Sequence, residues 1–364
     1  PSEAYTHGLD ASPTEDDFVT GSEGGMIYFW NPKTLAQKEA QAAPAGKTVW
    51  SVAYSPDGGL LAVGTGATEG VEVVEGVEGD AANSSNNAPL FLWNVKTETR
   101  VRSALGHQSR INRIVWAPDG SHIATGGADS TIRIWRIDLT EVTPLFLKSS
   151  VIALAYSPDG RYLAASTETE SAVHVWRTDS WKQIASLKGH SGAVHDLLFI
   201  GNSTLWSASD DGDIREWDLA RGSEGAVETI QSIELRSALQ GVGRPNFVLN
   251  QGRLYNVFAN FIEGGFIEGG SREGKPILRY DLAQQSALPP WSDAATYVYA
   301  ALSPDGGTLA TLNADWLIEV WDNVTERKLG EVQSTRDVYA IAVSNGGEKV
   351  AWSFIEEDYA GRVV

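Results

Sequence analysis

The side chains able to do chemistry in this 364-residue chain are few and scattered. There are six His, one Met and no Cys, which excludes disulfides, thiolate metal sites and cysteine nucleophiles. Two Gly-His pairs recur in one frame. Gly106-His107 is followed by Asp129, 22 positions after the His, and Trp135 lies 6 beyond that. Gly189-His190 is followed by Asp211 at 21, with Trp217 again 6 beyond. A His with an Asp is the raw material of general acid–base work and of metal sites. Little else supports such a site. The chain has no GxSxG elbow, no HExxH and no GxxxxGK[ST] phosphate loop, and its many carboxylates form no distinctive pair. A calcium site in FIEGGFIEGG, residues 261–270, fails on spacing, because the run offers one acid per five residues where metal loops alternate ligands more densely.

The elements that must position these residues are short and repeated. The turn SPDG or APDG occurs at 55–58, 117–120, 157–160 and 303–306. Proline pre-sets φ there and glycine takes the φ > 0 position. An alternating segment lies before most copies, such as VWSVAYS, INRIVWA and VIALAYS, and a short apolar segment such as LLAVG, HIATG or YLAAS follows. A third segment then ends on an aromatic residue at Trp30, Trp93, Trp135, Trp176, Trp217, Tyr280 and Trp321. Period-two alternation punctuated by Gly, Pro and Asp predicts antiparallel strands joined by tight turns, with no convincing helix. The run ETIQSIELRSALQ suits a helix or an outer strand equally.

The unit length of roughly 40 residues suits a four-stranded propeller blade. The copies GHQSRINRIVWAPDGSHIATGGADSTIRIW and GHSGAVHDLLFIGNSTLWSASDDGDIREWD resemble the WD-repeat β-propeller family, in the bacterial type of such domains. The resemblance extends over essentially the whole chain and implies an all-β propeller. It implies that His107, Thr125, Asp129 and Trp135, and likewise His190, Ser207, Asp211 and Trp217, form buried hydrogen-bond chains with a structural job. It also implies that partners bind around the channel mouth, near the start of each first strand. Those places hold Tyr5, His7, Trp50, Arg110, Asn112, His195, Pro245, Tyr299 and Tyr339.

Seven segments end on the aromatic, yet VYAIAVS and KVAWSFI supply two further strands at 338–354. Seven blades are preferred on family prevalence, and eight by the raw repeat count. Residues 1–364 read as a single propeller domain of a longer chain, with insertions at 64–89 and 259–275. Both insertions fall between the second and third strands of their units, hence on one face in such a propeller. The first carries Glu69, Glu72, Glu75, Glu78 and Asp80, and the second carries Phe261 and Phe266 within an expected β-hairpin. Phe354-Ile355-Glu356-Glu357 follows the second strand of the last unit.

The expected function is a protein-interaction platform whose acidic, loop-bearing face takes a peptide or protein partner, a basic one being favoured by the field. The partner-binding candidates are Trp50, Arg110, Asn112, His195, Tyr339, Phe261 and Phe266. No catalytic residue, metal or cofactor is expected. A net charge of −19 argues against nucleic acid, and no run reaches the roughly 18 apolar residues of a membrane helix. With no secretory signal visible, the expected compartment is the cytoplasm. Two other readings compete: the sensor or regulatory domain of a larger signalling protein fused to an NTPase, kinase or caspase-like domain, and a hydrolase with its site in the channel.

Overall fold

A computed structural model describes residues 6–14, 18–22, 24–31, 36–42, 47–66, 88–211, 213–220, 229–234, 244–250, 253–259, 278–281, 286–288, 297–302, 307–313, 315–323, 325–334, 338–343 and 350–354. Among them every regular element is a strand, and the strands pair antiparallel in chain order as meanders. Sheets one to seven have four strands each and lie in residues 6–42, 48–107, 111–146, 151–187, 194–234, 244–288 and 297–333. An eighth sheet pairs Val338–Val343 with Val350–Phe354.

The sheets follow one another around a ring. First strands adjoin first strands from sheet one through sheet six and again from seven to eight, while the second strand of sheet six adjoins sheet seven. The first strand of sheet eight lies beside that of sheet one. The described strands thus form seven four-stranded sheets and a two-stranded eighth. Thr6–Ala11 is a true first strand paired with Phe18–Ser22, so the first unit makes a whole sheet and does not share one with the last unit among the described residues.

Burial explains the layering. The second strands are sealed, as in Tyr162–Thr167 and Thr204–Ser209, where all but the first residue is buried. Outer strands such as Thr99–His107 and Arg327–Gln333 lie largely in solvent. Apolar residues of adjacent sheets fill the seams: Val49, Val52 and Val63 with Val19, Ile27 and Phe29, and Leu90 and Leu92 with Ile111 and Ile123. The turns behave as read, with Gly58, Gly120 and Gly160 each at φ 71°. Residues of ETIQSIELRSALQ supply the outer strand Thr229–Glu234.

The insertions begin later than the composition suggests. The second strand of sheet two runs through Gly64, Thr65 and Gly66, and the third starts at Ala88. Thr65 donates to the Pro89 carbonyl at 3.0 Å, which extends the pairing past the apolar run. Ala259 ends the corresponding strand of sheet six. The remaining insertion residues, 67–87 and 260–277, lie outside the described residues, and so do Phe261, Phe266 and 355–357.

Candidate interaction face

The two Gly-His frames fold into buried polar chains. Trp135 donates its indole N–H to Thr125 Oγ1 at 2.9 Å. Thr125 Oγ1 lies 2.7 Å from His107 Nε2, and His107 Nδ1 lies 3.0 Å from both carboxylate oxygens of Asp129. One assignment satisfies every member: the threonine hydroxyl donates to Nε2, and Nδ1–H donates to the carboxylate. Asp129 also accepts the backbone N–H of Gln108 at 2.7 Å and the hydroxyl of Thr131 at 2.8 Å. In sheet five Trp217, Ser207, His190 and Asp211 repeat the chain at 2.8, 2.8 and 3.0 Å.

His107 is fully buried, and satisfied donors and acceptors are what make such burial tolerable. Burial works to raise the carboxyl pKa of Asp129, but the bonds and field of His107, with the bonds from Gln108 and Thr131, outweigh it and hold the group at about 2. Asp211 is likewise lowered, its burial being outweighed by His190 and by the backbone N–H groups of Ser191 and Asp213. Both histidines therefore have every ring nitrogen committed inside a sheet. In sheet seven the described residues show the end of such a chain, with Trp321 donating to Thr311 Oγ1 at 3.1 Å.

The channel-mouth candidates are set by a feature the sequence does not advertise. In seven of the eight first strands the pairing with the second strand carries a bulge at the strand's start. The extra residues are His7, Trp50, Asn112, Ile152, His195, Val298 and Tyr339. A bulge leaves one residue outside the ladder and re-aims it. Four of the sequence candidates for partner contact, Trp50, Asn112, His195 and Tyr339, occupy this position. In sheet seven the extra residue is Val298, one before Tyr299, which stays in the ladder opposite Leu312. Sheet six pairs regularly from Arg244 to Asn250, so Pro245 gains no such exit.

The structure brings Trp50, Arg110 and Asn112 together across the seam between sheets two and three. The Arg110 guanidinium carbon lies 4.5 Å from the Trp50 ring centre, within cation–π range. Arg110 Nε donates to the Asn112 side-chain oxygen at 3.2 Å. The Asn112 amide donates onward to Ser150 Oγ at 3.0 Å and to the Val151 carbonyl at 2.9 Å in the approach to sheet four. His195 stands apart in sheet five, with Nε2 2.8 Å from a carboxylate oxygen of the exposed Asp210. Tyr339 lies in sheet eight, on the other side of sheet one from this cluster. The base of the first insertion abuts the cluster: a Cβ added at Gly66 would stand 2.4 Å from Arg110 Cβ and 3.1 Å from the Trp50 ring.

A ring of antiparallel meanders is an all-β propeller fold, and the His–Ser/Thr–Trp–Asp chains inside two of its sheets resemble those of WD-repeat proteins. Residues 41–68, 98–136, 145–177 and 181–218 match the WD40 family, described as WD domain, G-beta repeat. The chain is similar to Protein tipD of Dictyostelium discoideum, 23% identical over 247 residues that make up 60% of this chain and 40% of tipD. It is also similar to the guanine nucleotide-binding protein subunit beta of Solanum tuberosum, 22% identical over 325 residues, 86% of this chain and 80% of that protein. The crystal structure of the C-terminal WD40 domain of Sif2 superposes with a TM-score of 0.68 at 18% identity, covering 97% of this chain and 95% of that one. This last likeness concerns the fold alone. The chain spans less than half the length of tipD.

Proposed function

We propose that this chain is a protein-interaction platform, not an enzyme, and that it binds a peptide or protein partner on the face where the first strands start and the two insertions leave. The observation that carries the reading is the set of bulges, which takes one residue out of the ladder in almost every sheet at the same end of the ring. Trp and Arg, stacked at its densest point, are the residue types that most often anchor interfaces. The acids of the first insertion and the net charge of −19 favour a basic partner and disfavour nucleic acid. Beta subunits of G proteins, which the chain resembles over most of its length, are by their name parts of larger assemblies.

The test is affinity capture with the wild-type chain against W50A/R110A and a variant lacking 261–270. Loss of a partner in the variants at unchanged melting temperature supports the reading. Equal recovery in all three overturns the site assignment. A second reading, the sensor or regulatory part of a larger signalling protein of bacterial type, draws on the SPDG turns and on the partial coverage of tipD. The sequence flanking the chain in its gene decides it: a fused NTPase, kinase or caspase-like domain supports it, and a start and a stop at the two ends remove it. Turnover of ester or phosphoester substrates that survives W50A/R110A would replace both readings with the channel hydrolase.

A further inference from the structure

The outer strand of sheet two, Thr99–His107, differs from the other outer strands. At nine residues it is the longest outer strand among the described residues. Most of the others carry deterrents to added pairing. Glu141–Phe146 contains Pro144 and Glu141, Thr229–Glu234 ends on a carboxylate, Ala36–Ala42 contains Glu39, and Arg327–Gln333 contains Glu331. In that last strand Lys328 is neutralised by Glu319 and Glu331. Thr99–His107, like Lys182–Leu187, contains neither acid nor proline; its own pairing is bulged at Val101 and again between Ala104 and His107, and it alone of the described outer strands holds two arginines, in a chain of net charge −19.

Its side chains are set for recognition. Residues 99–103 and Leu105 are exposed, with Val101 at 50% and Leu105 at 40%. Arg100 pairs in register with Trp93 and Arg102 with Leu92, so the bulge at Val101 leaves the two arginines on opposite faces of the sheet. The Arg100 guanidinium rests over Phe91, 5.7 Å from its ring centre. Arg102 and the exposed Arg136 share the field of one acid, Asp138. Nearby charges are Lys96 and Glu98 in the preceding turn. Among the described residues no carboxylate is ion-paired to Arg100, Arg102 or Arg136, and no strand pairs with the outer edge of Thr99–His107.

We propose that this edge accepts an extended acidic segment of a partner protein as a fifth strand of sheet two. Main-chain bonds would supply the affinity common to strand addition. Arg100 on one face and Arg102 on the other would select carboxylates on either side of the added strand, and Val101 and Leu105 would cover its apolar residues. The surface is separate from the channel mouth, and its partner chemistry is the opposite of that face's.

The probe is a short labelled peptide of glutamate and valine, titrated against the whole chain by fluorescence anisotropy. Controls carry lysine for every glutamate, or N-methyl groups on alternate residues in each of the two phases. Expected are binding about tenfold or more tighter than for the lysine peptide, loss in one N-methyl phase, and hydrogen-exchange protection confined to 99–105. R100E/R102E should abolish binding, and R100K/R102K should retain most of it at the wild-type melting temperature. The proposal is overturned by absence of binding, by binding that survives charge reversal or both N-methyl phases, or by a single-stranded oligonucleotide outcompeting the peptide.

Discussion

Arg110 stacks on Trp50 across the seam between sheets two and three, its guanidinium carbon 4.5 Å from the ring centre. The pair does two jobs at once. It bridges the seam, and it is the anchor of the proposed partner site. R110K keeps the charge but loses the planar stack and the fixed Nε bond to Asn112. R110A and W50L should each destabilise by about 0.5–1 kcal/mol, the size of a partly exposed cation–π contact, and a double-mutant cycle on urea unfolding should show them coupled. Partner capture should fall far more than stability does. Additive unfolding energies would mean that the two residues only happen to be adjacent.

Gly66 makes a second, sharper handle on the same cluster. A methyl group there would stand 2.4 Å from Arg110 Cβ and 2.5 Å from its Cα, distances that backbone must move to relieve. G66A should therefore shift Arg110 away from Trp50 and cost about 1–3 kcal/mol as overpacking. The tryptophan emission of this variant should change, and it should lose the partner without any change to Trp50 or Arg110 themselves. Wild-type binding in G66A would show that the stack does not position the site.

The polar chains predict a graded response to losing one hydroxyl. Thr125 serves both Trp135 and His107, whereas Thr311 serves Trp321 with no histidine bonded to it among the described residues. T125V strands two buried polar groups, and T311V strands one that is half-buried. At about 1–3 kcal/mol for each stranded buried group, T125V should lower the melting temperature clearly more than T311V. S207A should resemble T125V, because Ser207 holds Trp217 and His190 in the same way. Equal shifts for T125V and T311V would refute the linked chain.

The contrast between these residues shows what was legible in the sequence. The turns and the strand order follow from local spacing, and the membership of the two polar chains follows from the resemblance that this spacing carries, since each depends on residues a fixed distance apart in one sheet. Trp50 and Asn112 are nominated by the resemblance to WD-repeat propellers, which points to the starts of the first strands. What hid was the bulge that re-aims them, because it is a property of pairing with the second strand and leaves no mark such as a glycine at the bulged residue. The neighbour relation of Arg110 and Trp50 was hidden for a related reason: it crosses between sheets 60 residues apart in sequence, where only ring geometry brings them together. The alternation in THGLDA is weak, yet Thr6–Ala11 is the first strand of a whole sheet.

The same carboxylates that lock the chains make the fold acid-sensitive in a defined window. Asp129 has its carboxyl held at about 2 in the folded state, against roughly 3.9 in an unfolded chain. A lowered folded pKa means that the unfolded state binds the proton first as pH falls. The stabilisation is therefore complete above about pH 4 to 5 and is lost progressively as pH drops towards 2. Asp211, lowered as well, contributes in the same direction and holds out to lower pH. Each such group is worth about 2 kcal/mol at neutral pH. Urea unfolding at pH 7, 4 and 2.5 should show little change over the first interval and a marked loss over the second. D129N should start less stable at pH 7 and lose less between pH 4 and 2.5 than the wild type, because it has no proton to take up. D129N/D211N should flatten the profile further. A wild-type and a D129N profile that run parallel through that interval would show that the His107–Asp129 bond is not what sets the acid limit of the fold.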